Sequence, residues 1–191
     1  MTGSRVQENQ MDSTDEQLMA AYRSGDAAAF DLLYARYRGP VYRYLLRHCA
    51  NDAECEELFQ DVWMKLIRGA FQWREGEPVR PWLFRIARNR LVDYWRRPRV
   101  VHESLDEGVV PTNRAWPDAL LQIRDCIERL KHLLSRLAAA QRDAFLLKEE
   151  GGLSLAQIAE VTGVGRETVK SRLRYAVRHL RSGLEDCDDT A

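Results

Sequence analysis

Long apolar runs are the feature this sequence most clearly lacks. Nothing in its 191 residues approaches the about 20 consecutive apolar residues that a bilayer-spanning helix needs, so no membrane insertion is expected. Met1-Thr2-Gly3-Ser4-Arg5 lacks the basic-then-apolar order of a secretion signal. The chain is read as cytoplasmic, with Met1 and Met11 both standing as candidate starts. Strict alternation of apolar and polar residues, the mark of a half-buried strand, occurs nowhere and excludes a sheet. Net charge is missing too: 29 Lys and Arg balance 29 Asp and Glu, so only the placement of charge can point to a partner. The four cysteines, Cys49, Cys55, Cys126 and Cys187, have no CxxC pairing, and His48-Cys49 near Cys55 fits no common zinc spacing. They are expected to be buried or idle thiols. There is no nucleophile motif, no phosphate-cradling glycine loop and no metal triad. The expectation is a protein that is not an enzyme and uses no cofactor and no metal.

What the chain does contain is helical periodicity. Thr14-x-x-Gln17 forms a capping box for a first short helix that stops near Gly25. Asp26 is placed to cap a long helix with Phe30, Leu33, Tyr34, Tyr37, Val41, Tyr44, Leu45 and His48 on one stripe, and Gly39-Pro40 is a candidate kink in it. Asp52 is the expected cap of a third helix. Cys55, Leu58, Phe59, Val62 and Leu66 form its inward stripe, so Glu57, Gln60, Asp61 and Met64 face away. Gly69 through Val79 reads as a loop, and Pro81 suits the first turn of a fourth helix running to about Trp95. From His102 to Pro117 no period survives. That stretch, with Glu103, Asp106 and Glu107, is read as a flexible acidic linker. A second helical block begins near Asp118. The expected organisation is all-α: a loose N-terminus (1–13), one helical domain (14–100), the linker (101–118), a second helical domain (119–183) and an acidic tail (184–191).

The second block carries a specific motif. Ser154-x-x-Gln157 is a capping box, Ala159 is small where two helices would cross, and Gly163 sits where a sharp turn needs positive φ. Val164 packs under that turn, and Val169, Leu173 and Ala176 point inward from the next helix. This combination reads as a DNA-binding helix-turn-helix. Its second helix carries Arg166, Lys170, Arg172, Arg174, Arg178 and Arg181 against one acid, Glu167, a charge suited to phosphates.

The fourth helix is also basic: Arg80, Arg85, Arg88, Arg90, Arg96, Arg97 and Arg99 against Asp93 alone, interleaved with Trp82, Phe84, Tyr94 and Trp95. Phe71, Gln72, Trp73 and Arg74 precede it. Arginines neutralise phosphate and aromatics stack on unpaired bases. Taken singly, Trp82, Phe84 and Trp95 are better read as core; loop and helix together favour nucleic acid.

At this point the sequence resembles a known family. Leu58-Phe59-Gln60-Asp61-Val62-Trp63, Trp82-Leu83-Phe84-Arg85-Ile86-Ala87-Arg88-Asn89 and Asp93-Tyr94-Trp95-Arg96-Arg97 resemble region 2 of the extracytoplasmic-function (ECF) sigma factors. Leu155-Ala156-Gln157-Ile158-Ala159 and Thr168-Val169-Lys170-Ser171-Arg172-Leu173 resemble their region 4. The resemblance implies an alternative sigma factor that binds core RNA polymerase and promoter DNA, acts as a monomer on the polymerase, serves stress responses and has an anti-sigma partner. It implies polymerase contact through Glu57, Gln60, Asp61 and Met64. It implies minus-ten contact through Phe71, Trp73, Arg74, Arg85, Arg88, Asn89, Arg96 and Arg97. It implies minus-thirty-five contact through Arg166, Glu167, Thr168, Lys170, Ser171, Arg172, Arg174 and Arg178. Two positions depart from the family pattern: Gly165 stands where many members cap with serine, and Pro81 where many have alanine. The alternative reading is a helix-turn-helix regulator that does not replace a sigma factor; a metal-sensing or enzymatic module around His48, Cys49 and Cys55 is a more distant one.

Overall fold

The computed structural model describes residues 13–96, 118–185 and 187. Arg97, the linker acids Glu103, Asp106 and Glu107, and the expected N-terminal and C-terminal extremities lie outside the described residues. Among those described, every regular element is helical. They are α1 (Asp15–Arg23), α2 (Ala27–Leu46), α3 (Asp52–Gly69), a 3-10 turn (Ala70–Gln72), α4 (Val79–Arg96), α5 (Asp118–Arg136), α6 (Ala139–Glu149), α7 (Leu155–Thr162) and α8 (Arg166–Gly183).

The starts are set by caps. Thr14 Oγ1 accepts from the Gln17 N–H while Gln17 Oε1 accepts from the Thr14 N–H, the reciprocal pattern of a capping box. Asp26 caps α2 through the Ala28 N–H. For α3 the cap is Asn51, not Asp52: the Asn51 side chain accepts from the Glu54 N–H, and Asp52 is the first helical residue, where its charge suits the helix dipole. Pro40 lies inside α2, which continues through it. The α4 helix begins at Val79, earlier than the tryptophan-led expectation. Its first N–H is held by Glu16 Oε1 of α1 at 3.2 Å, and Pro81 falls in the first turn.

In the first block, α1 to α4 close around Leu33, Val41, Tyr44, Leu45, Val62, Leu66, Leu83, Phe84, Ala87 and Leu91, all buried. An aromatic cluster ties α2 to α3: Trp63 meets Phe30 and Tyr34 edge-on, and Phe59 meets Tyr42 in the same way. At its margin Tyr37 donates to Asp15, which also pairs with Arg36, while Arg80 lies over the Tyr37 ring. Burial and the Asp15 carboxylate push the Tyr37 phenol up to about 12, the Arg80 hydrogen bond opposing them.

The two blocks share one hydrophobic core. The buried cluster of α2, α3 and α4 continues without a break into Ala144, Leu146, Leu147, Leu153, Ile158, Val161 and Val169. A smaller cluster, Leu134, Leu137, Ala176 and Leu180, joins α5, α6 and α8. Where α8 ends, Gly183 lies against Leu133: a Cβ there would stand 2.5 Å from both Leu133 methyls, so a larger residue would make the Leu133 side chain shift. The expectation of idle thiols needs correction on one point. Cys126 and Cys187 form a disulfide with Cα atoms 6.0 Å apart, strapping α5 to the segment after α8. Cys49 and Cys55 are not disulfide-bonded.

His48 sits at this junction. It is 4% exposed, wedged edge-on between Tyr44 and Trp95, and neither ring nitrogen has a hydrogen-bond partner. Burial first, then the Arg142 and Arg88 cations, lower its pKa from 6.5 to about 3. The unfolded chain therefore binds the extra proton between those values. Stability is complete above about pH 6.5 and falls as pH drops toward 3. Between pH 7 and pH 5 the wild type should lose about 2 kcal/mol more than a His48→Phe variant in urea titrations. Equal losses in the two proteins would show that His48 does not carry this dependence.

Candidate nucleic-acid and polymerase interfaces

The helix-turn-helix is built from local geometry. Ser154 Oγ accepts from the Gln157 N–H and Gln157 Oε1 accepts from the Ser154 N–H, which starts α7. Gly163 ends it at φ 70° and ψ 29°, with its N–H returned to the Ala159 carbonyl. That left-handed conformation is open to glycine at little cost. Val164 N–H also bonds to the Ala159 carbonyl at 3.1 Å. Ala159, Val169 and Ala176 are buried, so α8 is held by its inner face. Its outer face exposes Arg166, Glu167, Thr168, Lys170, Ser171, Arg174 and Arg178, with Arg172 half-buried. Glu167 is 87% exposed at its side chain and pairs loosely with Lys170 at 3.7 Å. The first turn of α8 thus offers a donor-rich edge with one acceptor, the combination suited to base edges.

The basic helix divides its residues between core and surface. Leu83, Phe84, Ala87, Leu91 and Tyr94 of α4 are buried, whereas Asn89 and Arg96 are exposed. In the preceding segment Phe71 is 74% exposed, and Arg74 is exposed beside it. Trp73 is not at the surface: it is 2% exposed, its Nε1–H donates to the Glu77 carbonyl at 3.0 Å, and Arg23 lies over its ring. It braces the loop from inside. Arg85 and Arg88 are half-buried and engaged. Arg85 pairs with Glu77 and, at 2.6 Å, with Glu160. Arg88 pairs with the buried Asp143 at 2.7 Å.

A third surface lies on α3. Glu57, Gln60 and Met64 are exposed and Asp61 half-buried, while Cys55, Leu58, Val62, Trp63 and Leu66 face the core. The helix therefore presents an acidic and amide stripe with one flexible thioether, a surface fitted to a basic or mixed protein partner.

Residues 33–100 match Sigma-70 region 2, and residues 121–180 match Sigma-70, region 4. Among curated relatives, the ECF RNA polymerase sigma factor SigL of Mycobacterium tuberculosis (strain ATCC 25618 / H37Rv) is 34% identical over 172 residues, covering 85% of this chain and 93% of SigL. The chain belongs to the ECF RNA polymerase sigma factors. SigM of the same strain is 31% identical over 87% of this chain and 83% of its own. Among solved structures, the sigma factor RpoE of Bartonella quintana, in complex with the anti-sigma factor NepR, superposes with a TM-score of 0.65 at 25% identity, over 82% of this chain and 96% of that one. CnrH, solved with the cytosolic domain of CnrY, shares the fold at a TM-score of 0.68 and 23% identity, over 90% of this chain and 97% of that one. As a member of this family the chain is an alternative sigma factor, a transcription initiation factor. The block of α1 to α4 contains its region 2 and the block of α5 to α8 its region 4.

Sequence reasoning missed the residues that join the two regions: Arg43, Tyr44, Asp143, Glu150 and Glu160. One signal was legible. Asp143 lies on the same stripe of α6 as Ala144, Leu146 and Leu147, an acid in the middle of an apolar face, and a buried acid needs a partner. Its partners, Tyr44 and Arg88, lie 99 and 55 residues earlier in the chain and could not be read from that pattern.

Gly165 offers a direct test of the local physics. It caps α8 with no side-chain hydrogen bond, at φ −67° and ψ 152°, and an added Cβ would meet nothing within 4 Å. A serine there gains the missing cap bond and lowers the entropy of the unfolded chain. Gly165→Ser should stabilise the protein by about 0.5–1 kcal/mol, or roughly 1–4 °C in Tm by calorimetry. A lowered Tm contradicts this account of the turn.

Proposed function

We propose that the two regions divide promoter recognition as their surfaces suggest, with region 2 spanning 14–100 and region 4 spanning 119–183. Region 4 places the start of α8 in the major groove of the minus-thirty-five element, where Arg166, Glu167 and Lys170 face base edges. Thr168, Ser171, Arg172, Arg174 and Arg178 hold the flanking backbone. Region 2 grips core RNA polymerase with Glu57, Gln60, Asp61 and Met64. Phe71 and Arg74 handle the opened minus-ten strand with Asn89, Arg96 and the arginines of α4, over a loop that Trp73 supports from beneath. The observation that carries this reading is the orientation of α8: Val169, Ala176 and Leu180 are buried and Arg166, Arg174, Arg178 and Arg181 exposed, on the far side of a glycine turn. The protein contributes binding, not bond chemistry. It works in the cytoplasm, and an anti-sigma protein is its expected restraint, as NepR is a partner of the similar RpoE. No helix among the described residues is long and apolar enough to cross a membrane.

Position along α8 should separate two kinds of contact. Arg166→Ala should cost about 1–3 kcal/mol on the preferred site and relax base preference at one position. Arg178→Ala should weaken all promoters alike and reduce the salt slope. Both are measured with the polymerase complex on a promoter library. An Arg166→Ala complex with unaltered base preference would move the reading positions along the helix.

A further inference from the structure

Three ion pairs between region 2 and region 4 run in one electrical direction. Arg43 of α2 donates to Glu150 at 2.7 Å, Arg85 of α4 to Glu160 at 2.6 Å, and Arg88 of α4 to Asp143 at 2.7 Å. Arg88 also reaches the Val161 carbonyl. Region 2 supplies each cation, and region 4 supplies each anion, from α6, its C-cap and α7. Asp143 is 3% exposed and accepts a second hydrogen bond from the Tyr44 hydroxyl at 2.7 Å. The same junction carries continuous apolar burial, with Tyr44 and Phe84 on one side and Ala144, Leu147 and Ile158 on the other.

We infer that this closed packing is an autoinhibited state of the free protein, in which the carboxylates of region 4 occupy the arginines of region 2 in place of nucleic-acid phosphate. The inference rests on the assignment of Arg85 and Arg88 to the strand-facing side of α4. Arg85 commits both of its amino groups to carboxylates, Glu77 and Glu160, and Arg88 commits Nε to Asp143 and Nη1 to the Val161 carbonyl, so an incoming phosphate must compete with those partners. Asp143 makes the state more than a surface attraction. A buried carboxylate that loses Arg88 while still covered is left unpaired, so the cheap route to freeing Arg88 is separation of the regions, which returns Asp143 to water. Closing and strand binding are therefore mutually exclusive, and each weakens the other by the same factor. The two ion pairs at the rim, with Glu160 66% exposed and Arg43 53% exposed at their side chains, set how readily the state opens. Salt weakens them and favours the open form.

The test uses the full-length protein. Glu150→Gln/Glu160→Gln removes the rim pairs without disturbing either region's core. Asp143→Asn weakens the buried one. Asp125→Asn/Glu128→Gln neutralises two acids on α5 and controls for net charge. Small-angle X-ray scattering reports compactness, and anisotropy reports affinity for a labelled single strand of about 20 nucleotides. The rim variant should expand and bind tighter, by up to about fivefold for each exposed pair removed. Asp143→Asn should act in the same direction, and the control should match the wild type. The inference is overturned if the wild type is already expanded, if an expanded variant binds no tighter, if both variants stay compact with unaltered affinity, or if the control gains equally. Failure of the underlying functional reading looks different. In that case neither wild type nor variants give promoter-specific transcripts with core polymerase, whatever their compactness.

Discussion

The carboxylate of Asp143 is the point on which the arrangement of this molecule turns. It sits in an apolar setting between α6 and the first block, receiving the Tyr44 hydroxyl on one oxygen and the Arg88 guanidinium on the other. A buried charge is tolerated only when paired and hydrogen-bonded, and both conditions here are met by the opposite region. Removing one partner from such a pair costs about 3–5 kcal/mol. The Tyr44 phenol responds in kind: burial and the neighbouring carboxylate push its pKa well up, so it stays a donor. Around this bridge the apolar surfaces of α2, α4, α6 and α7 close into one core. The bridge itself adds direction, since its donors and acceptor meet in only one relative placement of the two regions.

The α4 helix shows how one element serves stability and recognition together. Its inward stripe anchors region 2, its start is capped by Glu16 from α1, and its remaining positions carry the arginines. Because the helix is fixed along its length, the arginines stay on its outer side, where Arg85 and Arg88 meet the carboxylates of region 4. The closed state answers them with those carboxylates, and promoter DNA offers phosphates. In region 4 the logic is similar at smaller scale. A glycine in the left-handed conformation and two small buried alanines fix α8 by its inner face and leave its outer face to ligand.

Much of this was legible in the sequence because it depends on neighbours in the chain. The Thr14 and Ser154 capping boxes, the Gly163 turn, the inward stripe of α3 and the exposed face of α8 are all i to i+3 or i to i+4 patterns, and each appears where the spacing placed it. The Asn51 cap differed by one residue from the expected Asp52, as two adjacent cap-forming side chains allow. What was not legible is long-range. The Trp73 indole reads as a loop aromatic until α1 brings Arg23 over it. The pairing of Cys126 with Cys187 needs the crossing of α5 and α8. The junction through Asp143 needs two regions that the sequence presents as separate periodic blocks. Of the candidate site, the solvent-facing residues of α3 and α8 were readable, while the engagement of Arg85 and Arg88 with region 4 was not.

The most direct test of the central claim is reconstituted transcription. Core RNA polymerase is supplied with this protein on fragmented genomic DNA of its source, and the transcript starts are sequenced. The account predicts a discrete set of starts that appears only when the protein is added, shares two separated upstream elements, and is lost with a folded Asp61→Arg variant that disrupts the polymerase-facing stripe of α3. Starts that are the same with and without the protein, or that survive in full with Asp61→Arg, would contradict it.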